Sequence, residues 1–339
     1  MRRKSRLRWI VPLALLVLTA CQDRTRDTQP PSAAAECQQI QHSLGETQIC
    51  QPPQRIVALS PSLLELLLVL DLQPVGYADL VKFQSDTLDN PREQIPLLGD
   101  RITQPIRYVG TSPDPSLEAI VQLKPDLILA TLEMNQQEYA LLSQIAPTLI
   151  LPYGVGNDWQ ENLQKIAQIA DRRELAQNAI AQHQQRIAQV RQNLAAAIQE
   201  RSRILVLVGN QLDRGLRVEG NTTSCGSLLE NIGFELVLPP NSPTGSPNLS
   251  LEKLPQLPAD SVLLLGYDFS RNAPQTQDFE RSQLQQIQQD WENNAIAQSL
   301  KASQNNRVYF ASAYSCLAYP GPLGAEVYLQ EIEEQILSP

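Results

Sequence analysis

Histidine is nearly absent from this chain, and so are the short motifs of common enzymes. Only two histidines, His42 and His183, occur among 339 residues. Neither belongs to a cluster with the spacing of a zinc or manganese site. The sequence also lacks a G-x-S-x-G nucleophile turn, a G-x-x-x-x-G-K-S phosphate loop and an H-E-x-x-H zinc helix. We therefore expect a protein that is not an enzyme and that needs no cofactor or directly bound metal.

Basic charge and long apolar runs are also scarce. The formal net charge is −9, and an acidic chain is a poor partner for nucleic acid. The apolar run from Trp9 to Leu18 follows several arginines, and it is too short to span a membrane. The four residues from Leu18 to Cys21 resemble a bacterial lipobox. We expect residues 1–20 to be a lipoprotein signal peptide, and lipidated Cys21 to anchor an exported protein in the cell envelope.

Four cysteines remain after Cys21, an even number that suits an oxidising compartment. Residues 21–36 are polar and rich in proline and alanine, which is typical of a flexible tether. Cys37 and Cys50 flank a segment that looks like a strand, a turn at Gly45 and a second strand. A hairpin disulfide between them is the first choice. The second pair would then be Cys225 with Cys316, and free thiols are the alternative.

A repeated pattern divides the rest of the chain into two halves. PSLEAIVQLKPDLILA at 115–130 and LSLEKLPQLPADSVLLLG at 249–266 share apolar and aspartate positions at equal distances from Glu118 and Glu252. In each copy a serine cap and a first-turn glutamate favour a short helix, and a proline ends it before an apolar strand. The tetrapeptide SLLE, which begins at residues 62 and 227, gives weaker support for duplication. The pattern predicts two related α/β lobes, each with a Rossmann-like central sheet.

Residues 158–200 contain no proline or glycine and place apolar side chains at helical intervals. They predict one or two long helices, and a helix over 173–200 would span roughly 40 Å. A coiled coil is disfavoured, because the apolar positions are mostly small and the stretch is short. We expect a rigid connector between a lobe at 37–157 and a lobe at 201–339.

Several segments together carry a family resemblance. They are PQRIVALSPSLLELLLVLDLQPVGYAD (53–79), VGTSPDPSLEAIVQLKPDLILAT (109–131), LRVEGNTTSCGSLLENIGFE (216–235), LSLEKLPQLPADSVLLL (249–265) and RVYFASAYSCLAYPGPLGAEVYLQEIEEQI (307–336). In this order, they resemble the substrate-binding lipoproteins of ABC importers for iron siderophores, haem and cobalamin. The resemblance implies a monomer with two lobes joined by a long helix, a ligand in the cleft between them, and modest closure on binding.

The resemblance also implies a partner, because in this family one glutamate on each lobe docks into arginine pockets of a dimeric membrane permease. The matching positions are Glu118 and Glu252. Equivalent carboxylates, one on each lobe, would suit a partner made of two equal subunits. The alternative is that both are ordinary first-turn residues favoured by the helix dipole.

Loops that follow the carboxyl ends of strands line the clefts of α/β lobes, and these loops supply the candidate ligand contacts. In the first half they are Ser60, Pro61, Ser62, Tyr77, Asp79, Thr111, Ser112, Tyr153 and Trp159. In the second half they are Asn210, Arg214, Arg217, Thr222, Thr223, Tyr267, Trp291, Tyr314 and Tyr319. Aromatic side chains offer area to a bulky ligand, and an arginine recognises the oxygens of an anionic chelate.

One position, Ser112, leaves the class of ligand undecided. Many siderophore binders of the family carry arginine where this chain has Ser112, so the first lobe lacks that anion contact. Arg214 and Arg217 are possible substitutes. We expect a ferric siderophore of the hydroxamate or citrate type, with cobalamin or haem as the alternative on the same scaffold. A cell-envelope sensor or scaffold lipoprotein without a transport ligand is the alternative of another class.

Overall fold

The computed structural model describes residues 37–83, 88–153, 158–240, 247–267 and 276–338, with only the backbone described over 276–282. The predicted signal peptide, the tether and Cys21 lie outside these residues. From Cys37 onward the chain folds as one compact unit, which contains two separate six-stranded sheets. The α/β fold class predicted from the sequence is confirmed. The lobe boundaries stay a prediction, since contacts join the whole of this unit.

The first lobe surrounds a sheet with the strand order β6-β5-β4-β3-β7-β8. Its strands are β3 (Ile56–Ala58), β4 (Gly76–Asp79), β5 (Arg107–Thr111), β6 (Asp114–Pro115), β7 (Leu127–Thr131) and β8 (Thr148–Leu151). Its helices are α1 (Pro61–Val69), α2 (Pro91–Gln94), α3 (Leu117–Leu123), α4 (Leu132–Asn135) and α5 (Tyr139–Ile145), with a 3-10 turn at Gly99–Arg101. All strand pairs are parallel except β5 with β6. The parallel strands are buried apolar runs, as sheets covered on both faces require.

A hairpin of β1 (Gln38–His42) and β2 (Gly45–Ile49) precedes this sheet and packs on its edge strand β8. The backbone N–H of Ser43 donates to Ile150 O (2.9 Å), and the Thr47 hydroxyl donates to Thr148 O (2.8 Å). The Cys37–Cys50 disulfide closes the hairpin, and Cys225–Cys316 lies in the second half of the chain. Both predicted pairs are therefore confirmed.

The connector is divided into three helices: α6 (Asp158–Ile169), α7 (Arg173–Asn193) and α8 (Ala195–Glu200). The prediction of a single helix over 173–200 is therefore corrected. The helix ends because Leu194 has φ −89° and ψ 0°, and its side chain is buried in the second core. Near its start α7 places Ala176 in the first core, and near its end it places Val190 in the second. One helix thus carries the chain from one lobe to the other.

The second lobe surrounds a sheet with the order β12-β10-β9-β13-β14, to which β11 adds beside β9. Its strands are β9 (Arg203–Gly209), β10 (Leu216–Val218), β11 (Glu235–Leu236), β12 (Asn248–Leu249), β13 (Ser261–Gly266) and β14 (Val308–Ser312). Its α-helices are α9 (Ser224–Ile232), α10 (Thr276–Asn293), α11 (Ala295–Ser299), α12 (Lys301–Gln304), α13 (Ala313–Leu317) and α14 (Pro322–Leu337). Two 3-10 helices, Leu212–Arg214 and Leu251–Gln256, complete it.

The two copies of the repeated pattern occupy equivalent places. α3 leads into β7, which pairs with β3, and the 3-10 helix 251–256 leads into β13, which pairs with β9. Asp126 accepts hydrogen bonds from the backbone N–H of Gln54 and Arg55, each at 2.8 Å, just before β3. Asp260 accepts from the backbone N–H of Arg203 at 3.1 Å, at the start of β9. The repeated aspartate therefore ties neighbouring parallel strands together in both lobes.

The helices of the two copies differ. Ser116 caps α3, since its hydroxyl accepts from Ala119 N at 3.2 Å, as predicted. Ser250 makes no such cap bond, so that part of the prediction is wrong. The second copy is a 3-10 helix with Pro255 inside it. A proline lacks the N–H that an α-helix would need there, which explains the difference.

Candidate ligand cleft

The carboxyl edges of the two sheets meet at a pair of buried side chains. Asp79 is the last residue of β4, and Tyr314 follows the end of β14. The Tyr314 hydroxyl donates to Asp79 Oδ1 at 2.6 Å, and the Tyr319 hydroxyl donates to Pro96 O at 2.9 Å. We call residues 313–324 the interlobe segment, since Tyr314 and Tyr319 lie in the first core while Ala313 and Cys316 lie in the second. The lobes therefore face each other with the edges at which such sheets bind ligands.

Asp79 is fully buried and accepts hydrogen bonds from tyrosine hydroxyls of both lobes and from the backbone. Besides Tyr314, the Tyr77 hydroxyl donates to Oδ2 at 2.5 Å, and Val81 N donates to Oδ1 at 3.2 Å. Burial raises the pKa of Asp79, and the two tyrosine hydroxyls and backbone N–H groups act against that shift. Burial, followed by the adjacent Asp79 charge, raises the pKa of Tyr77 and Tyr314 well above the usual value. Both tyrosines are therefore neutral hydrogen-bond donors.

A second buried carboxylate, Glu65 on α1, binds the start of α14. It accepts from the backbone N–H of Gly321, Leu323 and Gly324, each at 2.8 Å. A helix N-terminus presents free N–H groups and a positive dipole, so it is a suitable partner for a carboxylate. A Cβ at Gly321 would lie 2.8 Å from the Glu65 carboxyl carbon, which explains why the residue there is glycine. Burial raises the pKa of Glu65 to about 7, against the opposing effect of these N–H donors.

Sequence reasoning did not assign a role to Glu65. The available signal was a lone carboxylate in PSLLELLLV, a helix that is otherwise almost wholly apolar and buried. A buried charge needs partners, and that need alone predicts donors from another part of the chain. The donors lie more than 250 positions away, so the sequence could not identify them.

Several predicted ligand contacts are buried or hydrogen-bonded within the fold. Ser60 caps α1 by accepting from Leu63 N at 3.2 Å, and its hydroxyl lies 2.8 Å from that of Ser62. Trp159 is buried in the first core, with its ring 5.0 Å from the His183 ring. Trp291 is buried in the core on one face of the second sheet, where its indole N–H donates to Ser303 Oγ at 3.3 Å. The placement of Trp291 at the cleft edge is therefore corrected, because α10 packs this side chain into the lobe.

Five other candidates keep exposed surface in loops at the carboxyl edges or at the strand end beside them. They are Thr111, Tyr153, Asn210, Arg214 and Tyr267. Arg217 is held in an ion pair, since its Nε lies 2.9 Å from Glu219 Oε1. Ser112 is fully buried at the end of β5, and its hydroxyl has no hydrogen-bond partner among the described residues. Residues 84–87, 154–157 and 268–275 lie outside the described residues.

Two cavities lie at opposite edges of the two sheets. One of about 800 Å³ lies at the carboxyl edge of the first sheet, between Pro113 and the residues of α4. Another of about 570 Å³ is lined by Arg203, Asp260 and Arg307, and it opens at the amino ends of β9, β13 and β14. The second cavity is therefore on the far side of its lobe from the cleft. Within the described residues, no group of three or more His, Cys, Asp or Glu side chains could hold a metal ion.

Glu118 and Glu252 are exposed at the rim of the cleft. Each lies in the first turn of its helix. Both helices begin at a carboxyl edge, since β6 pairs with the end of β5, and β12 pairs with β10 beside the end of β9. The Glu252 backbone N–H and the Ser250 hydroxyl lower the pKa of Glu252. Each lobe therefore presents one negative charge at an equivalent place.

The periplasmic binding protein family model matches residues 56–314, which include both sheets and the connector. The chain belongs to this family. The resemblance inferred from the sequence is thereby confirmed at family level, and periplasmic binding proteins are a class of binding proteins. No helix in the described part of the chain is long and apolar enough to cross a membrane.

Relatives within the periplasmic binding proteins match most of the chain. The Fe(3+) dicitrate-binding periplasmic protein FecB of Escherichia coli (strain K12) is 29% identical over 85% of this chain and 86% of its own length. The Fe(3+)-citrate-binding protein YfmC of Bacillus subtilis (strain 168) is 25% identical over 96% of this chain and 95% of its own. The crystal structure of Staphylococcus aureus SirA with staphyloferrin B superposes with a TM-score of 0.68 at 20% identity, covering 88% and 98% of the two chains. That likeness shows the fold.

Proposed function

We propose that this protein is the substrate-binding lipoprotein of an ABC importer, which captures a ferric siderophore between its lobes and delivers it to a membrane permease. The observation that carries the proposal is the meeting of two carboxyl sheet edges at Asp79 and Tyr314. Ligands of open α/β sheets bind outside such edges. The names of FecB and YfmC support an iron chelate of the citrate type as the cargo.

Direct binding tests the cargo. The full chain in detergent is dialysed to equilibrium against radio-iron complexes of citrate, a hydroxamate and a catecholate, and against cobalamin and haem. We expect saturable binding of one ferric chelate per chain. Binding of cobalamin or haem alone would transfer the proposal to the alternative cargo. Absence of binding to all five, with the protein shown to be folded, would favour a sensor or scaffold lipoprotein and contradict the transport proposal.

We further propose that Glu118 and Glu252 dock the protein onto the two halves of a permease dimer. The support is their equivalence, since Asp126 and Asp260 tie the two repeats to their sheets in the same way. Exposed rim charges mainly set orientation and association rate. They lie on helices outside the ligand loops, so ligand affinity should not depend on them.

The docking proposal predicts a separation of uptake from binding. Changing both residues to glutamine should lower cellular uptake of the chelate at least tenfold while the affinity of the purified protein stays unchanged, since each rim ion pair contributes about 1 kcal/mol. The matched control changes Glu174 and Glu235, which are exposed carboxylates away from the rim. Equal uptake by the two double variants would exclude the docking assignment.

Export and lipid anchoring through Cys21 belong to the same proposal, and so does a monomeric state. Relatives support the location, since FecB is named a periplasmic protein. Membrane fractionation of wild type and Cys21→Ala tests the anchor, because loss of the acyl chains should release the protein from the membrane pellet. A variant that stays in the pellet would contradict anchoring at this residue.

A further inference from the structure

A cavity of about 300 Å³ lies where the connector passes from one lobe to the other, and we call it the hinge cavity. One wall is the last turn of α1, at Leu68 and Val69, and the other walls are α7 and the start of α14. Helix α1 begins at the carboxyl edge of its sheet and spans about 13 Å, so its last turn lies well away from that edge. None of the described candidates for chelate contact lines the hinge cavity.

Parts of both lobes form the hinge cavity. Ile180 of α7 packs on the first core, and Ile187, two turns later, packs on the second. Leu323 at the start of α14 packs on the first core, whereas Ala325 of the same helix lies in the second. A molecule bound here would therefore contact both lobes and the connector, and it would favour the arrangement of the lobes that holds it.

His183 is a buried polar side chain that lines this cavity. It is 8% exposed, and its ring stands edge-on to Trp159 with 5.0 Å between the ring centroids. No group in the described part of the chain hydrogen-bonds this ring, whereas the ring of His42 is bonded to Thr47 and Tyr139. The nitrogens of His183 are not among the buried polar atoms that lack a partner, so they are accessible from the cavity. Since buried polar groups are normally hydrogen-bonded, this ring is a contact left for a ligand.

The charges around the hinge cavity balance except for one cation. Arg186 is paired with Glu326 at 3.0 Å and with Glu333 at 3.1 Å. Arg101 is exposed and has no ion pair within the residues that the structure describes. Burial lowers the pKa of His183 to about 4, so its imidazole is neutral at pH 7. The cavity therefore offers one unpaired guanidinium and one neutral imidazole.

We propose that the hinge cavity binds a small organic monocarboxylate, whose carboxylate is held by Arg101 and His183. One unpaired guanidinium suits one negative charge and can bind a carboxylate through two parallel hydrogen bonds, and a neutral imidazole adds a hydrogen bond without adding charge. Leu68 and Leu323 supply an apolar wall for the body of the ligand. The charge of Glu65 also acts on Arg101, but the Glu65 oxygens are already bound by backbone N–H groups of α14. Apolar walls with a few polar groups, in a volume of about 300 Å³ or more, are typical of small-molecule sites.

Histidine NMR tests the hinge cavity directly, because the chain contains only two histidines. The full chain in detergent is labelled with 13C-histidine, and His42→Gln identifies the His183 signal. The protein is titrated with hexanoate, with hexanamide as an uncharged molecule of the same shape, and with inorganic phosphate. Arg101→Gln removes the unpaired cation. The matched control is Arg107→Gln, since Arg107 is an exposed arginine at the start of β5 that does not line the cavity.

We expect hexanoate to shift the His183 signal saturably and to leave the His42 signal in place. Hexanamide should bind about tenfold more weakly, which corresponds to about 1.4 kcal/mol. Arg101→Gln should weaken hexanoate binding to the same degree without changing hexanamide binding, and Arg107→Gln should behave as wild type.

A His183 signal that hexanoate does not shift saturably would overturn the site. Equal affinity for hexanoate and hexanamide would overturn the role of Arg101, and tighter binding of phosphate than of hexanoate would overturn the ligand class. The site is separate from the chelate cleft, and no ferric chelate enters these titrations. Failure of the proposed function would therefore leave these results unchanged.

Discussion

At the scale of single residues, Glu65 combines two opposing effects. Its complete burial disfavours the charged form, and three backbone N–H groups at the start of α14 favour it. Burial is the larger effect, so the pKa rises from 4.5 to about 7. The folded protein therefore holds this proton more tightly than the unfolded chain does. The contribution to stability is fully present below pH 4.5 and is lost as the pH rises towards about 7.

The prediction is a pH-dependent difference between wild type and Glu65→Gln. The glutamine cannot ionise, so the free energy of unfolding of wild type relative to the variant should fall by up to ~3 kcal/mol as the pH rises from 4.5 to 7. Denaturant unfolding at several pH values measures it. Glu230→Gln is the control. Glu230 is the glutamate of the second SLLE tetrapeptide, as Glu65 is of the first, but Glu230 is exposed. A difference that is flat with pH, or that rises, would show that Glu65 is already ionised in the folded protein.

Sequence patterns predicted residues well where the cause is local. The serine cap at Ser116, the exposed first-turn positions of Glu118 and Glu252, and the pairing of Cys37 with Cys50 all follow from neighbours along the chain. The role of Glu65 and the burial of Trp291 depend on contacts between distant segments. An aromatic or acidic residue in a loop or helix carries no local mark of which core it will enter.

At the scale of elements, the two disulfides constrain different parts of the fold. Cys37–Cys50 closes a hairpin with a sequence separation of 13, on the outer edge of the first sheet. Cys225–Cys316 joins α9 to α13 over a separation of 91. Cys316 lies two positions from Tyr314, whose hydroxyl binds Asp79 across the lobe boundary. The second disulfide therefore positions the interlobe segment.

Removing each pair should separate these roles. In the chain-entropy description, Cys37→Ala with Cys50→Ala should cost about 3 kcal/mol of stability, and Cys225→Ala with Cys316→Ala about 4 to 5 kcal/mol. Only the second double variant should weaken chelate binding, because only it frees α13. Denaturant unfolding and equilibrium dialysis measure the two effects. Equal loss of binding in both variants would show that the second disulfide has no special influence on the cleft.

The elements themselves were predicted to different degrees. The helix, turn and strand of each repeat, and the long connecting helix, follow from local caps, prolines and apolar spacing. The break at Leu194 and the 3-10 geometry at 251–256 were missed. Pro258 was predicted to follow the end of the second helix, and the 3-10 helix does end before it, at Gln256, but Pro255 inside the helix was overlooked. At Leu194, burial in the second core accompanies a change of direction that helix propensity does not encode.

At the scale of the whole molecule, the two lobes share side chains as well as a connecting helix. Tyr314, Ala318 and Tyr319 lie in the first core, although they follow the last strand of the second sheet. Helix α7 contributes to both cores. Unfolding of either lobe would therefore expose apolar surface of the other. This coupling accounts for the single compact unit from Cys37 onward.

Shared cores predict one cooperative unfolding transition. Calorimetry of wild type should give a single peak whose calorimetric and van't Hoff enthalpies agree. Tyr314→Ala should lower stability by about 3 to 5 kcal/mol and divide the peak in two, because it removes both a buried ring and the bond to Asp79 across the boundary. Tyr328→Ala is the matched control, since Tyr328 is equally buried but belongs to the second core alone. It should lower stability similarly and keep one peak. Two peaks in wild type would mean that the lobes unfold independently, and the interlobe segment would then be a surface contact without a role in coupling them.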